Sequence, residues 1–215
     1  MLTRITILTS AVLATAAPAQ VATPQTATAT KAPAPKEDLV PVAIDTSLGR
    51  IVIALDRGRA PFTANNFLRY VDNHRLDGET FYRAMHIPGA TDGDGGLIQG
   101  GVTSDVRKLY PPIADEPSSK TGLHNVAGAI SMARGAPGSA KADFFILLSD
   151  QPGFDAGAPG GMDADGFAPF GHVTEGMDVV RKIFAAPVSA TKGIGAMKGQ
   201  MLDPPVKIIK AARLK

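Results

Sequence analysis

Residues 127–133 read AGAISMA, residues 143–149 read DFFILLS and residues 167–173 read FAPFGHV. Each is a short apolar run, too short for a helix and bounded by Gly, Pro, Ser or Asp, which is the pattern of a buried strand. Working outward, ETFYRAM (79–85) and LIQGGV (97–102) repeat it upstream, and VKIIKA (206–211) repeats it near the end. At the front, Val40 to Asp45 and Arg50 to Asp56 flank the turn Thr46-Ser47-Leu48-Gly49. They read as an opening β-hairpin with Ile51, Ile53 and Leu55 on one face.

Only two segments carry a helical stripe. Pro61 and Thr63 stand at a helix start, and Phe67, Leu68, Tyr70 and Val71 share a face that stops near Asn73. Glu175 to Phe184 is the second, with Thr174 as its expected N-cap and Glu175 and Asp178 at the positive end of its dipole. About eight strands and two helices predict a mainly β domain: a closed, eight-stranded antiparallel barrel capped by two α-helices.

Composition agrees. The 215 residues are 44% apolar and 20% charged, a globular balance, and 23 Gly with 17 Pro disfavour a helical bundle. A net charge of +2 gives no reason to expect a nucleic-acid partner. The absence of cysteine excludes disulfides, thiolate metal sites and a Cys nucleophile.

The N-terminus reads as an address. Met1 to Ala19 has one charge, Arg4, then an apolar run to Ala17, then Ala17-Pro18-Ala19, the pattern of a secretory signal peptide cleaved before Gln20. Thr6, Thr9, Ser10 and Thr15 interrupt the run, and no Cys follows it, so neither a membrane anchor nor a lipid anchor is expected. Residues 20–38, ending TPQTATATKAPAPKED, have nothing to bury and read as a disordered linker. The folded domain is therefore expected over residues 39–215, as an exported monomer.

Familiar catalytic signatures are missing. Asp92-Gly93-Asp94 and Asp163-Ala164-Asp165-Gly166 begin like calcium loops, but both lack the later acidic ligands and read as solvated turns. The four histidines have no metal spacing, there is no Gly-x-Ser-x-Gly elbow, and the glycine runs lack a phosphate loop's Lys. No metal and no cofactor is expected.

What the strands do carry, in order, is a set of motifs. Phe81-Tyr82-Arg83, Leu97-Ile98-Gln99-Gly100-Gly101, Gly128 to Arg134, Asp143-Phe144-Phe145-Ile146, and Phe167 to Val173 followed by Glu175 to Val180 resemble the cyclophilin-type peptidyl-prolyl isomerases. Thr63-Ala64-Asn65-Asn66-Phe67 is similar to the family's helix signature, and the resemblance runs from about Val40 to Lys210, closest to the periplasmic bacterial branch. It implies isomerisation of X-Pro bonds in unfolded or exposed segments of exported proteins, without a cofactor. The alternative is a non-catalytic proline-peptide-binding or chaperone module on the same barrel.

By the same resemblance Arg83 is the catalytic residue. Leu97, Phe145, Phe154 and Phe167 line a proline pocket, and Gln99, Ala133 and Arg134 contact the peptide backbone. Three departures stand out. Residues 84–98 separate Arg83 from Gln99, about twice the family's interval, with Gly95-Gly96 where a pocket phenylalanine is usual. Gly153 stands where many members have Trp. Asp143 stands where Gln is usual, and if it lies beside Arg83 it should grip the guanidinium bidentately.

Overall fold

A computed structural model describes residues 38–87, 95–161 and 163–215. The predicted signal peptide, all of the linker but its last residue, and the Asp92-Gly93-Asp94 part of the enlarged loop lie outside the described residues. Among the described residues nine strands form one antiparallel sheet: β1 (Leu39–Thr46), β2 (Gly49–Asp56), β3 (Thr80–His86), β4 (Gly96–Gly101), β5 (Ala129–Met132), β6 (Phe144–Leu147), β7 (Ala168–Glu175), β8 (Val188–Ser189) and β9 (Met201–Arg213). Eight of them, in the order β1-β2-β7-β5-β6-β4-β3-β9, close into a barrel because β9 also pairs with β1. That seam runs from Val42↔Arg213 through Ile44↔Ala211 to Thr46↔Ile208. The two-residue β8 adds to the outside of β9 through Val188↔Leu202.

The interior is filled, not hollow. Alternate residues of the strands (Ile51, Ile53 and Leu55 on β2, Ile130 and Met132 on β5, Phe144 and Ile146 on β6) point inward into one buried cluster. The expected two helices are present. The first, α1 (Pro61–Asp72), follows the end of β2 and sends in Phe67, whose ring meets Phe144 at 5.2 Å and Phe170 at 5.4 Å. A single turn, α2 (Ser118–Thr121), was not expected. The third, α3 (Met177–Phe184), packs at the other end, with Val179 against Gly49 and Phe184 against Gly96 at the starts of β2 and β4.

Two end-caps differ from expectation. Thr174 does not cap α3: β7 continues to Glu175, the Thr174 hydroxyl donates to the Val52 carbonyl, and Gly176 caps the helix in a left-handed conformation (φ +85°). A Cβ on Gly176 would also lie 2.3 Å from the Arg50 carbonyl oxygen, so the position admits only glycine. At α1, Ala60 offers no side-chain cap, and the buried Glu116 from a distant loop takes over. Its carboxylate accepts from Phe62 N (3.1 Å), Thr63 N (2.7 Å) and the Thr63 hydroxyl (2.7 Å). Because charge-assisted bonds to a helix N-terminus are lost together, Glu116→Ala is expected to cost about 2–3 kcal/mol in urea denaturation. A change near zero would mean that water replaces the cap.

Candidate active site

The site lies on the outside of the barrel. The residues that alternate with the core positions of β4 and β6 (Leu97, Phe145 and Leu147) form a second apolar cluster with Ala129 and Phe167, separate from the interior. Phe154, from the 3₁₀ turn Pro152–Phe154, and Ala133 pack against it. The rings of Phe145, Phe154 and Phe167 meet edge to face, with centroids 5.1 to 5.9 Å apart. These side chains are thus a second buried apolar layer beneath a cleft, separate from the barrel core.

The loop bearing Phe154 is anchored from beneath. Buried Asn125 donates through Nδ2 to the Phe154 carbonyl (3.1 Å) and to Asp155 Oδ1 (2.8 Å), and its own Oδ1 accepts from Ser131 Oγ (2.7 Å). Gly153 has open space on every side of a would-be Cβ, so the rim beside Phe154 is bare there.

Arg83 reaches this surface because of a bulge. The register of β3 against β4 shifts between Phe81↔Gly100 and Arg83↔Gln99, leaving Tyr82 as the extra residue. In a regular strand Phe81 and Arg83 would share a face. Here Phe81 and Ala84 point into the core while Arg83 and Met85 border the cleft, a side chain re-aimed by one inserted residue. Gly100 permits this, since a Cβ there would sit 2.9 Å from the Phe81 ring.

The guanidinium is half-buried and held by neutral groups. Arg83 Nε donates to Gln200 Oε1 (2.8 Å), one terminal nitrogen to Gln99 Oε1 (2.8 Å) and the other to the Met85 sulfur (3.1 Å). Burial lowers its pKa from the usual arginine value, although a guanidinium remains charged. Gln99 in turn donates to the Tyr82 hydroxyl (2.7 Å). Burial is also the main reason that the Tyr82 phenol is pushed far above its ordinary range.

Asp143 does not form the ion pair that a place beside Arg83 would have allowed. It lines the same cleft but makes no ion pair with Arg83; the group that stabilises its charge is the Tyr82 hydroxyl. Its Oδ1 is buried without a hydrogen-bond partner, directly over Gly101, where a Cβ would fall 2.1 Å away. Burial, aided by the charge of Glu79, raises its pKa to about 6. With the folded pKa above the unfolded one, its favourable contribution is complete below about pH 4 and is lost as pH rises through about 6. Asp143→Asn is therefore expected to stabilise the fold by about 1–2 kcal/mol at pH 7.5, with the gain shrinking below pH 5. Chemical denaturation at the two pH values checks it, and an equal gain at both would assign the effect to packing.

Arg134 is also differently employed. Its buried guanidinium pairs with Asp163 through two bonds (2.8 and 2.9 Å), donates to the Gly166 carbonyl and lies 5.7 Å over the Phe167 ring. The side chain clips the turn leading into Phe167 instead of offering donors to the cleft, and it holds the Asp163 carboxyl down to about 2. Asp163 also accepts from the backbone of Asp165 and Gly166, so this segment is a turn, as read from sequence. Among the described residues no cluster of His, Asp and Glu could hold a metal.

All nine residues named from the sequence line one cleft of about 1190 Å³. That exceeds the usual small-ligand pocket and has room for several residues of an extended chain. The sequence reading missed Tyr82, Met85 and a wall from the far end of the chain: Gly193, Ile194, Met197 and Met201, with Gln200 bound to Arg83. The Tyr82 signal was adjacent to Arg83; Gln200 had none, being 117 positions away.

Comparison with known proteins bears on this cleft. Residues 41–212 match the model of a family described as cyclophilin type peptidyl-prolyl cis-trans isomerase/CLD. A peptidyl-prolyl cis-trans isomerase of Acinetobacter baylyi is 39% identical over 172 residues, covering 78% of this chain and 82% of the relative. The peptidyl-prolyl cis-trans isomerase cyp18 of Streptomyces antibioticus is 36% identical over 157 residues, covering 71% and 87%. The barrel is similar to the crystal structure of a cyclophilin type peptidyl-prolyl cis-trans isomerase from Cryptosporidium parvum (TM-score 0.63, 18% identity, 83% of this chain and 99% of that one). A second structure of that protein, solved in the presence of the dipeptide Ala-Pro, matches with a TM-score of 0.62 at 19% identity, covering 81% and 99%.

Proposed function

The chain belongs to the cyclophilin-type peptidyl-prolyl cis-trans isomerases, and from that premise we propose that it is exported and turns over X-Pro bonds of other exported proteins to assist their folding. The observation that carries the reading of the site is the meeting of a three-phenylalanine floor with a guanidinium held, among the described residues, by neutral partners. The presence of Ala-Pro in the study of the Cryptosporidium relative is consistent with proline-peptide binding at such a surface.

The chemistry asks for those two features. Amide resonance sets a barrier of roughly 18–20 kcal/mol, and rotation needs neither a proton transfer nor a covalent intermediate. The site has only to favour the twisted amide over the planar one. In this reading the floor of Leu97, Phe145, Phe154 and Phe167 grips the proline ring. Gln99 and the backbone at Ala133 and Arg134 align the peptide, and the N–H groups left on Arg83 meet the lone pair or carbonyl as conjugation is lost. Asp143 and Tyr82 border the peptide's path. No step requires a metal or cofactor.

Export is supported by the Met1 to Ala19 pattern. The test is expression of the full chain in a Gram-negative host, with fractionation, intact-mass measurement and an isomer-turnover assay on a short X-Pro peptide. The expected product is periplasmic, begins at Gln20 and accelerates isomerisation. An uncleaved cytosolic chain overturns the export, and peptide binding at the uncatalysed rate overturns the catalysis in favour of a binding module.

A further inference from the structure

The segment between β8 and β9 gives the cleft its second wall. It is closely tied: Gly199 N donates to the Lys192 carbonyl (3.0 Å), Gln200 N to the Met197 carbonyl (3.1 Å), and Ala84 N on β3 to the Gln200 carbonyl (3.0 Å). Lys192 also pairs with Asp203 at 2.9 Å. Gly193 is left-handed (φ +97°), and a Cβ there would lie 2.3 Å from the Met197 carbonyl oxygen, so the turn closes only on glycine.

This fixed turn presents two apolar side chains that are left exposed to water. Ile194 is 88% exposed and Met197 39% exposed, yet both line the cleft that contains Arg83 and Phe145. An isoleucine left in water forgoes about 1.5–3 kcal/mol that burial would return. The cleft is also larger than a proline ring needs, and the Gln200 to Arg83 bond fixes this wall relative to the guanidinium.

We propose that Ile194 and Met197 form a subsite for a large apolar side chain, of the leucine or phenylalanine class, on a residue flanking the proline of the bound peptide. The occupant follows from continuity: the wall and the phenylalanine floor enclose one space, so a peptide seated by its proline runs its neighbouring side chain along the turn. The inference rests on the isomerase reading and adds a preference to it. It makes Ile194 and Met197 specificity residues that act through contact with substrate, while Gln200 is a positioning residue acting through Arg83.

The experiment compares Ala-flanked X-Pro peptides with peptides carrying Leu or Phe on either side of the proline, in wild type, Ile194→Ser, and Ile194→Ser/Met197→Ser. Both kcat/KM and Kd are measured. Wild type should prefer the bulky peptides, and the double variant should lose about tenfold of that preference, read as the ratio of the two peptides. Ile194→Phe should raise the ratio. Ile194 is largely outside the packed structure, so the variants keep their circular dichroism. An unchanged ratio of both kcat/KM and Kd overturns the subsite. Absence of turnover in wild type, with a Kd ratio that still falls in the double variant, overturns the isomerase reading and leaves the subsite standing.

Discussion

Arg83→Ala is expected to lower kcat on a short X-Pro peptide by about ten- to a hundredfold, the size of one lost charge-assisted hydrogen bond of about 1.5–3 kcal/mol, with KM little moved. The split follows from when the interaction is made. A guanidinium has five N–H donors; three are committed to Gln200, Gln99 and Met85. The remaining donors face a planar amide that has little to offer and a twisted one with a localised lone pair, so they act in the transition state and appear in kcat. Arg83→Lys should recover only part of the loss, because an ammonium cannot hold Gln99 and Gln200 in the same fork. Losing Arg83 exposes no core surface, so circular dichroism should be unchanged. A variant with full turnover would remove Arg83 from the reaction.

Phe145→Ala should fail in the other parameter. Phe145 is 2% exposed and stacks edge-on with both Phe154 and Phe167. Without it the proline floor loses its middle, an interaction made equally by planar and twisted peptide, so KM should rise about tenfold or more while kcat changes less. The same truncation opens a cavity and should cost about 3 kcal/mol of stability. Phe145→Leu refills most of the space and should restore stability, but not the ring contacts, each worth about 0.5–1.5 kcal/mol. If Phe145→Leu bound peptide as tightly as wild type, the floor would be a generic apolar surface.

The barrel was legible because β2 sets Ile51, Ile53 and Leu55 on one face, while β4 and β6 are short apolar runs bounded by clear turns. The first turn of β9 was not. The strand begins at Met201, whereas Val206 was expected, since Asp203-Pro204-Pro205 suppresses any strand signal. Thr174 looked like a cap because nothing local says that β7 runs on to pair Glu175 with Val52. At the site, the structure brings the nine residues named from the ordered motifs to one cleft, but the motifs could not say which neighbours those side chains choose. Arg83 turned to Gln200 and Arg134 to Asp163, and both outcomes depend on loops and a bulge that no short-range pattern encodes.

The β1–β9 seam orders events in time. β1 is among the first parts of the domain made and β9 the last, so the zipper has only one row of teeth until residues 208–213 have been synthesised. Until then β1 and β3 are open edges, and a ring cannot exist in partial form. Closing it also pays the entropy of the longest loop in the domain. A nascent chain of this sequence thus cannot close its barrel until its last strand has been made.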